Sequence, residues 1–113
     1  MLIPKNKPLR DKKHLKFLTT LPCVVTGIIG ECDAAHIRHG FLAMGIKPSD
    51  SRCVPLHHTE HRKQHATSET IYWGAKRLDA AKWLSGLLYT NTGDYEECCR
   101  LIRKFRDDFP SCQ

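Results

Sequence analysis

The 113-residue sequence has no apolar run approaching the ~18 residues that a membrane-spanning helix needs. Its opening stretch, MLIPKNKPLRDKK, puts lysines where a secretory leader would carry an apolar core. Both absences predict a cytoplasmic protein with no membrane partner. CxxC spacing is also missing, although the chain holds six cysteines. In a reducing compartment, Cys23, Cys32, Cys53, Cys98, Cys99 and Cys112 therefore read as buried thiols or metal ligands rather than a disulfide framework. Acidic residues are scarce at the start. Residues 1–16 hold Lys5, Lys7, Arg10, Lys12, Lys13 and Lys16 against Asp11 alone, so most of the formal +6 charge lies there. Clustered cations gain affinity by displacing counterions from phosphates, which points to a polyanion partner.

The length suits one domain with one modest core. Residues 1–10 read as a basic arm, and a short amphipathic helix is expected over residues 11–21 with Asp11 as its N-cap and Pro22 beyond its end. The β-branched stretch Cys23-Val24-Val25-Thr26, a glycine-bounded turn at 27–30 and a return over 31–38 predict a β-hairpin. Residues 39–50 turn to Gly, Lys, Pro and Ser and read as a loop. Helix is expected again from His58, then over about 69–77, 79–90 and 95–109. In the last two, Leu84, Leu87 and Leu88, and Tyr95, Cys98, Ile102, Phe105 and Phe109, recur at helical spacing and predict core faces. The fold class expected is α+β: a small hairpin plus helix over residues 23–66, preceded by one helix and followed by two or three in residues 67–113.

Histidine is the abundant feature. Six of the seven histidines fall between residues 36 and 65. His61 and His65, four apart on a polar helix, project from one face and can grip one cation. His57 extends the same spacing only if the helix starts before Pro55 allows it to. An HxxxH pair alone is as readily two solvated residues. A hairpin ending in His36, a loop, and then the HxxxH helix is a more informative order, because a ββα arrangement folds all three histidines together.

The segments LPCVVTG, CDAAHIRHG, MGIKPSDSRCVPLHHTEHRKQH, TIYW and LLYTNTGDY together resemble a phage-associated HNH-like (ββα-metal) endonuclease family, itself similar to the recombination-enhancement nucleases of temperate phages. The resemblance spans roughly residues 11–95. It implies a single nuclease domain that hydrolyses DNA phosphodiester bonds, leaving 5′-phosphate and 3′-hydroxyl ends. His36 in AAHIR takes the place of the general base, and His61 and His65 take the places of the helix ligands for a divalent cation. Mg²⁺ or Mn²⁺ is the expected metal, with Zn²⁺ as the alternative. DNA, single- or double-stranded, is the expected partner, along with a phage or host recombination protein.

The sequence departs from that pattern in three places. Ala35 stands where many such enzymes put a metal ligand before the base. Asp33, two residues back on the same strand face, is the candidate to replace it. Arg52 stands where the family's central Asn is expected, with Asp50 nearby to orient a base or ligand. The CxxC and CxxC/H pairs of a structural zinc are reduced to Cys23 and His57, their partners being Thr26 and Glu60. Cys23, Cys32, Cys53 and His57 form a substitute set. Arg38, Lys47, Arg52, Arg62 and Lys63 are candidate phosphate contacts. Two other functions fit the same residues: a non-catalytic nucleic-acid-binding module, and a zinc-stabilised interaction protein.

Overall fold

A computed structural model describes residues 10–39 and 49–110. Helix α1 (Lys12–Leu18) begins where Asp11 accepts the amide of His14 at 3.0 Å, and it buries His14 and Leu18. Strand β1 (Cys32–His36) and strand β2 (Cys53–His57) pair antiparallel, with His36 opposite Cys53 and Cys32 opposite His57. Helices α2 (His58–His65), α3 (Glu69–Trp73), α4 (Ala75–Thr90) and α5 (Tyr95–Asp108) follow. The class is therefore α+β, a two-stranded hairpin running into a helix, with helices before and after it, as the sequence pattern predicts.

The hairpin is not built from the strands expected. Residues 23–28 close on themselves instead. The Gly27 amide donates to the Cys23 carbonyl and the Cys23 amide to the Ile28 carbonyl, both at 2.9 Å. The Cys23 thiol takes the amides of Val25 and Thr26 at 3.4 Å. Gly27 supplies the left-handed backbone that this turn requires, with φ +78°. Cys23, Val24 and Val25 are buried, so the apolar character of CVVT reflects core position rather than strand pairing.

The partner of β1 lies across the 37–52 connection, in a segment with Pro55 at its centre. Proline is tolerated there because Pro55 faces Ala34, and its carbonyl points outward to accept the Val24 amide at 3.0 Å. No amide is needed at that position from β2 toward β1. The pairing continues one step past the strand ends, where Ile37 donates to the Arg52 carbonyl at 2.8 Å.

A two-stranded hairpin is marginal by itself and needs a packed face. Here Ala35, Val54 and Leu56 are fully buried in one core with Leu18 and Leu21 from the α1 side, Leu78, Leu84 and Leu88 of α4, and Ile102 and Phe105 of α5. The expected helix over 69–77 is split by Gly74, whose φ of +81° ends α3 and starts α4. Of the apolar stripe on α5, Cys98, Ile102 and Phe105 are buried, Phe109 is half-buried, and Tyr95 is exposed. Cys99 stands aside from Cys98, as neighbouring helical positions must. No helix among the described residues is long and apolar enough to cross a membrane.

Candidate active site

Strand β1 and helix α2 form one wall each of an open groove of ≈ 800 Å³. His36 and Ala34 line it from β1, His61, Gln64 and His65 from α2, and Arg10, Lys12 and Leu15 from the α1 side. Alternation along β1 explains the strand's share: Ala35 points into the core, so Ala34 and His36 face out. Helical spacing explains the other wall. Residues 61, 64 and 65 fall on one face of α2, and Gln64 is its only buried residue.

Two carboxylate–imidazole systems stand in or beside this groove. In the first, His36 Nε2 lies 2.9 Å from Asp50 Oδ1, while Asp50 Oδ2 accepts the Asp11 amide at 2.8 Å and Arg10 reaches Oδ1 at 3.1 Å. Asp50 is 3 % exposed. Burial pushes its carboxyl up, but the Asp11 amide, His36 and Arg10 together outweigh burial and hold it below the ordinary carboxylate range. An ionised Asp50 can only accept, so His36 carries its proton on Nε2 and presents Nδ1 as a lone pair.

In the second system, Asp33 Oδ2 lies 2.9 Å from His61 Nδ1, and Oδ1 lies 2.9 Å from His58 Nδ1. Burial raises the Asp33 carboxyl, and the hydrogen bonds and charges of His61 and His58 more than reverse this, so its net shift is downward. The acceptor at Nδ1 leaves His61 Nε2 as the bare nitrogen. That nitrogen faces His65 Nε2 at 3.1 Å, an N–H···N bond with His65 donating.

The donor set fits a divalent cation. A cation held by both Nε2 atoms would replace this hydrogen bond and require His65 to carry its proton on Nδ1 instead. Two imidazole nitrogens bound at ~2.1 Å to one ion would be about 3.0 Å apart at a right angle and about 3.4 Å apart at the tetrahedral angle. The observed 3.1 Å lies between these values. A carboxylate behind the metal-facing histidine is also the usual arrangement for fixing a ligand's tautomer. Asp33 thus stands behind His61 rather than beside it as the third ligand that the sequence suggested. Among the described residues, no group of three or more His, Cys, Asp or Glu is set to hold a metal. The protein's share would be His61 and His65, with oxygens of water and phosphate completing the shell.

The substitute structural-zinc set does not assemble. The Cys32 thiol donates toward the Ile28 and Gly30 carbonyls at 3.4 and 3.7 Å. Burial, then Cys23 and Asp33, push this thiol up to about 11. Burial above all, then Asp50, pushes Cys53 up to about 12. In the metal-free chain burial thus favours the protonated thiol at both positions, and among the described residues no group of three or more His, Cys, Asp or Glu is set to hold a metal. The Cys23 sulfur accepts two amides of its own turn. His57 is the N-cap of α2, accepting the Thr59 amide at 3.2 Å, so it also leaves the His61–His65 stripe.

The candidate phosphate contacts separate as well. Arg38 lines the groove. Arg52 pins the connection between the strands through its backbone, with its amide on the Ser49 carbonyl at 3.0 Å. Arg62 and Lys63 are exposed on α2 outside the groove wall, and Lys63 pairs with Glu60 at 3.2 Å. Lys47 lies outside the described residues. Sequence reasoning missed His58, Gln64, Glu69 and the contact of Arg10 with Asp50. Of these, only His58 left a trace in the sequence, as the second member of the His57-His58 pair at the start of the helix.

Residues 1–77 match the family described as Protein of unknown function (DUF968). No curated protein and no solved structure matches the chain.

Proposed function

The chain belongs to the DUF968 family, whose description assigns no activity, and from its own side chains we propose that it is a metal-dependent endonuclease hydrolysing DNA phosphodiester bonds. One observation carries this reading. Two histidine systems, each oriented by an ionised aspartate, converge on one groove: Asp50–His36 from the strand side and Asp33–His61–His65 from the helix side.

In this reading His36 Nδ1 takes a proton from the attacking water. Asp50 keeps the opposite nitrogen protonated and stabilises the imidazolium that forms. His61 and His65 hold the cation, and Asp33 fixes the His61 ring so that Nε2 faces it. When bound, the cation supplies neutralising charge for the scissile phosphate and the departing 3′ oxygen. Two imidazole donors suit Mn²⁺ or Zn²⁺ better than Mg²⁺, which prefers an all-oxygen shell. Arg10, Lys12 and Arg38 along the groove favour the approach of a polyanion.

The test is incubation with single- and double-stranded DNA and Mg²⁺, Mn²⁺ or Zn²⁺, beside the His36→Ala protein. Metal-dependent cutting that the substitution abolishes is expected. DNA binding without cutting, unchanged in the variant, would make the protein a binding module instead. Zinc retained through chelation with no DNA affinity would make it a zinc-stabilised interaction protein.

A further inference from the structure

The pairing of the two strands ends with Ile37 on Arg52, and the next two amides are those of Arg38 and His39. Both are taken by one side chain. Glu69, the first residue of α3, accepts the Arg38 amide on Oε2 at 2.8 Å and the His39 amide on Oε1 at 2.7 Å. Gln64, 4 % exposed, donates from its amide nitrogen toward the His36 carbonyl at 3.5 Å and toward Glu69 Oε2 at 3.4 Å. Both of those neighbours can only accept, so the Gln64 nitrogen must face them and its oxygen must turn away. A continuous set of polar contacts therefore runs from α3 through α2 to the peptides of residues 36, 38 and 39.

We infer that Glu69 is a positioning residue for His36, fixing the backbone on the C-terminal side of the histidine so that its imidazole stays aligned in the groove. The inference rests on the reading of His36 as the general base. Asp50 orients the ring from one side, but a ring is only as well placed as the peptide that carries it. Favourable charge at a helix N-terminus would keep Glu69 near the first turn of α3, yet it would not call for a carboxylate bridging two successive amides. Glu69 itself lines the groove, and with both oxygens accepting backbone amides it acts in this role through the peptide that carries His36.

The experiment compares wild type, Glu69→Gln and Glu69→Ala in DNA cleavage and in Mn²⁺ affinity. The Ala variant is expected to lose about tenfold or more in kcat at saturating DNA, with KM and Mn²⁺ affinity within about twofold. The Gln variant should fall between, because its remaining oxygen still accepts one amide. A folded Ala variant with wild-type kcat, or a loss that appears in KM and metal affinity alone, overturns the inference. Should Glu69→Ala fail to fold, Glu69→Gln decides by the same split between kcat and KM. If the wild type cuts no DNA, the nuclease reading falls, and the clamp is judged separately. Hydrogen exchange at the Arg38 and His39 amides should speed up about tenfold or more in the variant, and the His36 ring signals should shift. Unchanged exchange and unchanged ring signals overturn it.

Discussion

Asp50→Asn is the most direct test of how this site is held. The carboxylate is nearly inaccessible and receives the Asp11 amide, His36 Nε2 and Arg10 at 2.8, 2.9 and 3.1 Å. Asparagine keeps the shape and one acceptor oxygen, but its amide group must point donors at one of those three donors. A buried hydrogen bond to a charged group contributes about 1.5–3 kcal/mol. The Arg10 pair, with its guanidinium side chain 45 % exposed, adds no more than about 1 kcal/mol. Together these give a loss of about 2–4 kcal/mol, or a fall in Tm of roughly 10 °C for a domain of this size.

The pH dependence has a definite sign. Asp50 titrates lower in the folded chain than in the unfolded one. Its contribution is therefore fully present above the unfolded carboxylate pKa of ~3.9 and is lost as pH falls through the lower folded value. Urea unfolding should show the full difference between wild type and variant from pH 7 down to about 5, and a shrinking one below about 4. Cleavage at pH 7 should drop about 10²-fold as His36 loses its tautomer and orientation. Equal midpoints at pH 7 together with equal cleavage rates would refute the reasoning.

Three further outcomes are expected. His61→Ala or His65→Ala should abolish stoichiometric Mn²⁺ binding in calorimetry, and Asp33→Asn should weaken it about 10–100-fold by freeing the His61 ring; unchanged affinity in Asp33→Asn would remove the orienting role. Gly27→Ala should lower stability by at least about 1–2 kcal/mol in urea, because Gly27 has φ +78° and an added Cβ would lie 2.6 Å from the Arg106 guanidinium carbon. Wild-type stability there would mean that the 23–28 turn can relax. Leu56→Ala, at a fully buried position of β2, should destabilise by about 2–5 kcal/mol in the same measurement, and an effect below about 1 kcal/mol would show that the hairpin is not anchored through this core.

What the amino-acid sequence determined by itself was local. Asp11 as a cap, helix from His58, Leu84 and Leu88 (though not Leu87) on the core face of α4, most of the core face of α5, and the shared face of His61 and His65 all follow from spacings of three and four residues, which a helix converts directly into neighbours. The hairpin was legible as a kind of element but not in its pairing. The stretch CVVT has strand-like composition, and only the closing of residues 23–28 around the Cys23 thiol and Gly27 turned it into a buried turn. The true partner of β1 carries a proline, acceptable only because Pro55 sits where no inward amide is required, and register is a tertiary fact.

The site divides in the same way. Residue types and helical spacing brought out the histidines, but tertiary contacts decided what each aspartate does. Asp33 went behind His61, and Asp50 went onto His36 from 14 residues away. Glu69 reached across 30 residues to the amides of Arg38 and His39, just beyond the strand that carries His36. Those roles depend on hydrogen bonds between segments distant in sequence, and such bonds leave no periodic trace in the chain that makes them.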